Sequence, residues 1–220
     1  MRDTVVGLVL AALLIGGLFA ADKFAPDQRP VPMSVEVTQI VDKAAADIHP
    51  GFVGTKTIGL WQLACTDKPS VVTVPVADAS KPADANTPPK TAQVQLGRCR
   101  TTLYYRRKDN PRMVMLAVTF RFIGANHTFG VFVLMPPIVK QGDVIALRIQ
   151  QGFLKLPVAG CEPKGLCVAR GALQPGAENE FLSAKGAQLI VPQPNGKVAA
   201  LPLPLVGLSQ AVSAMGRAES

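Results

Sequence analysis

Four cysteines and two histidines carry most of the chemical range in this 220-residue chain. Cys161 and Cys167 enclose Glu162-Pro163-Lys164-Gly165-Leu166, while Cys65 and Cys99 stand far upstream. A redox-active dithiol usually sits as Cys-x-x-Cys at a helix start, where the thiol pKa falls. Here the spacing is wider, and the intervening Pro and Gly suit a tight reversal between two strands, so the sequence predicts a structural bridge. The same spacing, with only His49 and His127 to add, does not make the usual zinc ligand set, and neither metal nor cofactor is expected. Four cysteines allow three pairings, and the sequence does not choose among them. The expectation is pairing nearest in sequence, Cys65–Cys99 and Cys161–Cys167. Such bridges contribute roughly 3.8 and 2.4 kcal/mol in the chain-entropy picture, useful only where thiols stay oxidised. No nucleophile elbow, phosphate-cradling loop or dinucleotide fingerprint is present, so the chain reads as non-enzymatic. Asn126-His127-Thr128 fits a glycosylation acceptor, a pattern too short to carry weight.

A second constellation is electrostatic. Arg98, Arg100, Arg106, Arg107, Lys108, Arg112 and Arg121 crowd positive charge into one stretch against a single acid, Asp109. Arg98, Arg100 and Arg106 share strand parity and would line one face. The whole chain carries a formal charge of +8 and a pI near 9.6. The stretch is therefore a candidate contact for anionic lipid, lipopolysaccharide or an acidic protein, against the plainer reading of a solvated hairpin. Nucleic acid is not expected, because nothing interleaves aromatic with basic residues as a stacking platform does.

The elements that must position these residues are mostly strands. Charged residues make up only 17%, and Gly and Pro number 19 each, a mixture suited to short strands and turns. Strands are expected at Ile58–Cys65 (with Trp61 in the core beside the first bridge), Arg98–Arg107, Met113–Phe122, Phe129–Met135 and Val144–Gln150. Others flank the Cys161–Cys167 turn and lie at Ala187–Val191 and Lys197–Leu201, with an edge strand at Val71–Val74. Asp78–Lys90 reads as an exposed loop, and Ser209–Met215 as a short helix. The predicted class is all-β: a β-sandwich of about ten antiparallel strands with two disulfides.

Upstream the texture differs. Thr4–Ala21 contains no charge, and a helix over it would be about 27 Å long, close to a bilayer core. A cleaved secretory leader is the alternative, but Leu18 and Phe19 occupy the position that a cleavage site before or after Ala21 needs small. The reading is a retained single transmembrane helix over 1–23. Gly7, Ala12, Gly16 and Ala20 give it a small-residue stripe for packing on a partner helix. Residues 24–56 follow as a stalk, with Pro26, Pro30 and Pro32 favouring extended polyproline II. A short helix then begins near a Ser34 cap, with Ile40, Val41, Ala44, Ala45 and Ile48 on one face. The β-sandwich occupies 57–220, placed in the periplasm by its disulfides and held at the inner membrane by the helix.

Several of these residues recur together in a known family. Trp61-x-x-x-Cys65, Cys99, Leu134-Met135-Pro136-Pro137, Gly142-Asp143-Val144, the Cys161…Gly165-Leu166-Cys167 turn and the Leu203–Ala211 segment stand in the order seen there. Over Ile58–Met215 the chain resembles the invasion-associated locus B family of alphaproteobacteria. The resemblance implies an envelope or secreted β-sandwich without known catalytic residues, in a family named for host-cell invasion yet also found in free-living bacteria. Two departures stand out: members typically begin with a cleavable signal, and Asp67–Ala92 is long for the family. The functional expectation is an accessory protein that braces another membrane protein or complex. The alternative is a surface factor contacting host or anionic envelope components.

Overall fold

The computed structural model describes residues 35–75 and 91–220, apart from 150, 151, 163, 164, 175, 185 and 195. The apolar segment with Gly7, Ala12, Gly16 and Ala20, the Pro-rich stalk, the Ser34 cap and the 78–90 loop lie outside the described residues. None of the described helices is long and apolar enough to cross a membrane.

The described chain opens with helix α1 (Val35–Ala46), whose last turn carries Lys43, favourably placed at the negative end of the helix dipole. Val41, Ala45 and Ile48 are buried, as the periodicity predicts, while Ile40 is 66% exposed. Twelve strands follow in one antiparallel sheet. They are β1 (Gly54–Ile58), β2 (Trp61–Cys65), β3 (Ser70–Pro75), β4 (Thr91–Leu96), β5 (Cys99–Arg106) and β6 (Val114–Ile123). Then come β7 (Thr128–Met135), β8 (Val144–Arg148), β9 (Phe153–Cys161), β10 (Cys167–Ala172), β11 (Ala187–Pro192) and β12 (Val198–Leu203). Helix α2 (Ala177–Ser183) precedes β11, and helix α3 (Leu208–Glu219) follows β12.

The sheet runs β1-β2-β5-β6-β7-β10-β9-β8-β11-β12, with the β3–β4 hairpin joined to β6 only at Leu96 and Ile123. It curls through β9. The first half of that strand, Phe153–Pro157, pairs with β8, and the second half turns to β10, where a register shift falls between Val168 and Ala169. Strands that change partners at a bend or bulge are how a sheet folds back on itself. The result is a first limb (β1, β2, β5, β6, β7, β10) and a second limb (β8, β11, β12 and the first half of β9). Both limbs contribute to one core cluster, and the Tyr105 hydroxyl of β5 donates to the Pro202 carbonyl of β12 at 2.7 Å. The antiparallel β expectation is met in a mostly β fold, as one curled sheet of twelve described strands where the sequence predicts a sandwich of about ten.

Two local differences have clear causes. The Ile58–Cys65 run, read as one strand, is a hairpin. Gly59 takes φ +61 at its turn, a conformation open to Gly at low cost and the one a tight hairpin of this kind requires. That turn packs on Gly207 at the start of α3: a Cβ on Gly59 would stand 2.8 Å from the Val206 oxygen, and one on Gly207 2.6 Å from the Ile58 oxygen. Helix α2 has no side-chain cap and gives no strong periodic signal. It is held from outside, by Phe181 buried against Phe120 with ring centres 5.2 Å apart.

A candidate cationic face

The cysteines form the two predicted bridges, Cys65–Cys99 and Cys161–Cys167, and no cysteine is free. Each joins directly paired residues of neighbouring strands, β2 to β5 and β9 to β10. The first therefore staples the limb that presents most of the arginines, and the second staples the bend. Trp61 is wholly buried in the same core as Cys65 and Cys99, its ring 5.3 Å from that of Phe120. Its indole N–H finds no acceptor among the described residues. No ligand can stack on it there. His49 Nδ1 donates to the Pro50 carbonyl, and His127 stacks on Phe122. No group of acids, histidines and cysteines among the described residues is arranged to hold a metal ion. The groove between α1 and α3, about 490 Å³, is open and lined by small or polar residues, with Gln210 donating to Asp42 across it.

The basic stretch divides. The Arg98 guanidinium is turned inward, donating to the carbonyls of Phe52 (3.1 Å), Thr66 (3.2 Å) and Ala218, and so ties the loop after α1, the end of β2 and the end of α3 together. Beside it the Glu219 carboxylate accepts the Cys99 main-chain N–H at 2.9 Å. Arg107 pairs with Asp109 (Nε to Oδ1, 2.7 Å), an exposed contact that holds the Asp109 carboxyl below its usual pKa. Arg106 donates to the Pro111 carbonyl and lies over the Tyr104 ring. Lys108 and Arg112 are exposed in the turn between β5 and β6, and the Arg112 main-chain N–H meets the Asn110 side chain. Much of the hairpin's charge is thus folded onto its own turn.

Arg100 is different. It points outward from the middle of the first limb, and register places a second arginine opposite it. One step beyond the Thr101–Phe120 pair, Arg100 faces Arg121, which in turn pairs with Gly130 of β7. Arg121 is half-buried and donates from Nε to the Gly97 carbonyl at 2.7 Å. Its pKa is pulled below the ordinary value, first by burial and then by the Arg100 charge, with Glu219 opposing. The neighbouring row runs Gln62, Thr102, Thr119, Phe132, Arg170 through successive strand pairs. The Thr102 and Thr119 hydroxyls bond each other at 3.0 Å. Arg170 therefore lies diagonally across β7 from Arg121. No Asp or Glu occurs in any of the twelve strands.

Like charges directly opposite in a sheet are unfavourable, so the Arg100–Arg121 pair costs stability unless an anion shares it. Arg100, Arg121 and Arg170 thus share this face with Thr102, Thr119 and Phe132, and the next row, Tyr104, Ala117, Leu134 and Val168, is largely apolar. Sequence reading placed Arg100 on such a face. Arg170 went unnoticed, although parity along Cys167–Ala172 would have set it outward, because which strands are neighbours cannot be read from spacing.

The Invasion associated locus B (IalB) protein family matches residues 80–216 of the chain. A crystal structure of invasion associated protein B from Bartonella henselae superposes with a TM-score of 0.50 at 16% identity, over 73% of this chain and 93% of that one. At that identity the likeness is one of fold. No curated protein matches the chain.

Proposed function

The chain belongs to the Invasion associated locus B family, and on that footing we propose that it is a non-enzymatic envelope protein that binds and braces a partner. Its N-terminal apolar segment anchors it in the inner membrane, and the curled sheet stands in the periplasm. The partner is another membrane protein or complex, met through the N-terminal helix and through an acidic surface that fits the cationic face. The observation that carries this reading is the Arg100–Arg121 pair, with Arg170 diagonally across β7 on the same face, on strands that hold no acid. The bridging of all four cysteines supports the compartment.

Purifying the protein from its native membranes in mild detergent and identifying what accompanies it tests the proposal. The expected result is a co-purifying membrane protein whose retention weakens with salt and is lost in an Arg100→Glu/Arg170→Glu variant. Retention indifferent to both would remove the cationic face from the function.

A second reading has the family's name behind it: a released or outer-membrane factor contacting host or anionic envelope components. Intact mass separates the two. A native chain beginning after Ala21 or Ala25 would favour the released factor.

A further inference from the structure

We propose that the outward face of the second limb lies on the surface of an anionic lipid bilayer; this rests on the anchored reading above. Alternation along β8, β9, β11 and β12 turns one set of side chains into the core and the other set out. All of the outward residues except Arg148, Lys155 and Gln188 are apolar. Phe153 and Val198 are 65% and 68% exposed, and Val144 49%. A lone exposed apolar residue needs no explanation, but Val144 and Val198 fall in the register row of Pro157 and Pro192, while Phe153 stands at the opposite corner beside Arg148 and Lys155. Register sets Val144 beside Pro157, and Ala146 between Lys155 and Ile190, with Ala200 next in the row. A largely apolar face of this kind marks a protein or membrane contact.

Charge selects the occupant. The face's charged groups are both cations, Arg148 and Lys155, with Arg148 lying over the Phe153 ring. A second copy meeting this face about a two-fold axis would bring no acid to Arg148 or Lys155, because the face's own strands hold none. The uncharged Thr4–Ala21 stretch would offer them nothing. An anionic bilayer supplies both halves: hydrocarbon under Phe153 and Val198, and phosphates at the height to which the long cationic side chains reach.

The tether permits it. Residues 22–34 separate the uncharged stretch from α1 and span at most ~45 Å when extended. A domain of this size is ~40 Å across, so any of its faces can be laid on the membrane. The chemistry of the face, and not the reach of the linker, then decides which one lies down. The cationic face of the first limb is turned away from that bilayer and left free for a partner.

The test uses the full chain reconstituted into phosphatidylethanolamine/phosphatidylglycerol vesicles, with single tryptophans introduced as Phe153→Trp, Val198→Trp and, on the first limb, Thr57→Trp. Trp61 is buried and common to all three. Brominated acyl chains should quench Phe153→Trp and Val198→Trp but not Thr57→Trp, and the quenching should be lost in an added Arg148→Glu/Lys155→Glu background. Three results overturn the proposal. In the first, the Phe153→Trp and Val198→Trp reporters stay as open to acrylamide in vesicles as in detergent. In the second, they are shielded from acrylamide yet untouched by bromine, which puts protein on the face. In the third, the Thr57→Trp reporter is quenched equally. Flotation reads the anchor separately: a chain that floats without quenching removes only the face, whereas one that does not float removes the anchor and the face together.

Discussion

The two limbs of the sheet share one interior and differ in what they show to solvent. Inward, both present aliphatic and aromatic side chains to the same core. Outward, the first limb carries three arginines beside an apolar row that includes Leu134, and the second carries Val144, Phe153, Ile190 and Val198 with two cations. A common core fixes the fold and leaves the outer surfaces free to diverge. The difference between them is therefore information about partners and says little about folding.

The comparison depends first on the core being common. Phe120 touches Trp61, Phe129 and Phe181, and Phe120→Ala should cost about 3–5 kcal/mol. Chemical denaturation followed by probes on each limb should show one coincident transition; two separate transitions would split the limbs into independent units. The staples come next. Losing Cys65–Cys99, with a sequence separation of 34, should cost about 3.8 kcal/mol, against about 2.4 kcal/mol for Cys161–Cys167 with its separation of 6. Paired Cys→Ser variants measured in urea would reverse that order only if the bend at β9, and not the first limb, is the weaker part.

Tyr105 clasps one limb to the other. Burial raises its pKa above the ordinary 10.0, so the folded chain holds its phenolic proton where the unfolded chain has lost it. That contribution is complete below pH 10 and drains away as pH climbs past it. Tyr105→Phe should lose ~0.5–1.5 kcal/mol at neutral pH and be less sensitive to alkali than the parent. Equal sensitivity in melts across pH 8–11 would place the alkaline weakness elsewhere. The smallest effect sharpens the comparison most. Arg100→Glu turns a repelling pair with Arg121 into an attracting one and should stabilise the fold by ~0.2–1 kcal/mol, less at high salt, while partner retention falls. A variant that loses stability would mean that the arginine pair is not under strain.

The strand pattern of the first limb was legible because polar residues alternate with apolar ones along Cys99–Arg106. The second limb was legible as strands but not as a surface. Where both sets of side chains are apolar, as in Val198–Leu203, a strand with one bare face reads like one buried on both. Gly59 hid the β1–β2 reversal inside an apolar run. The β4 strand, Thr91–Leu96, lay at the end of a stretch whose composition suggests a loop, and its main support is β3. The arginines divided for a reason that spacing cannot give: Arg98 and Arg100 are separated by one residue, yet one finds carbonyls of α3 and the loop after α1, and the other, among the described residues, faces another arginine.

Helix α3 comes after every strand in chain order, yet it packs against β2 and β5, and Glu219 takes the N–H of Cys99. A polypeptide delivered amino-end first must therefore present Trp61, Cys65 and Cys99 without their final cover until the last turns of α3 are available. The cover over its longest-range bridge is the last part of the chain to be made.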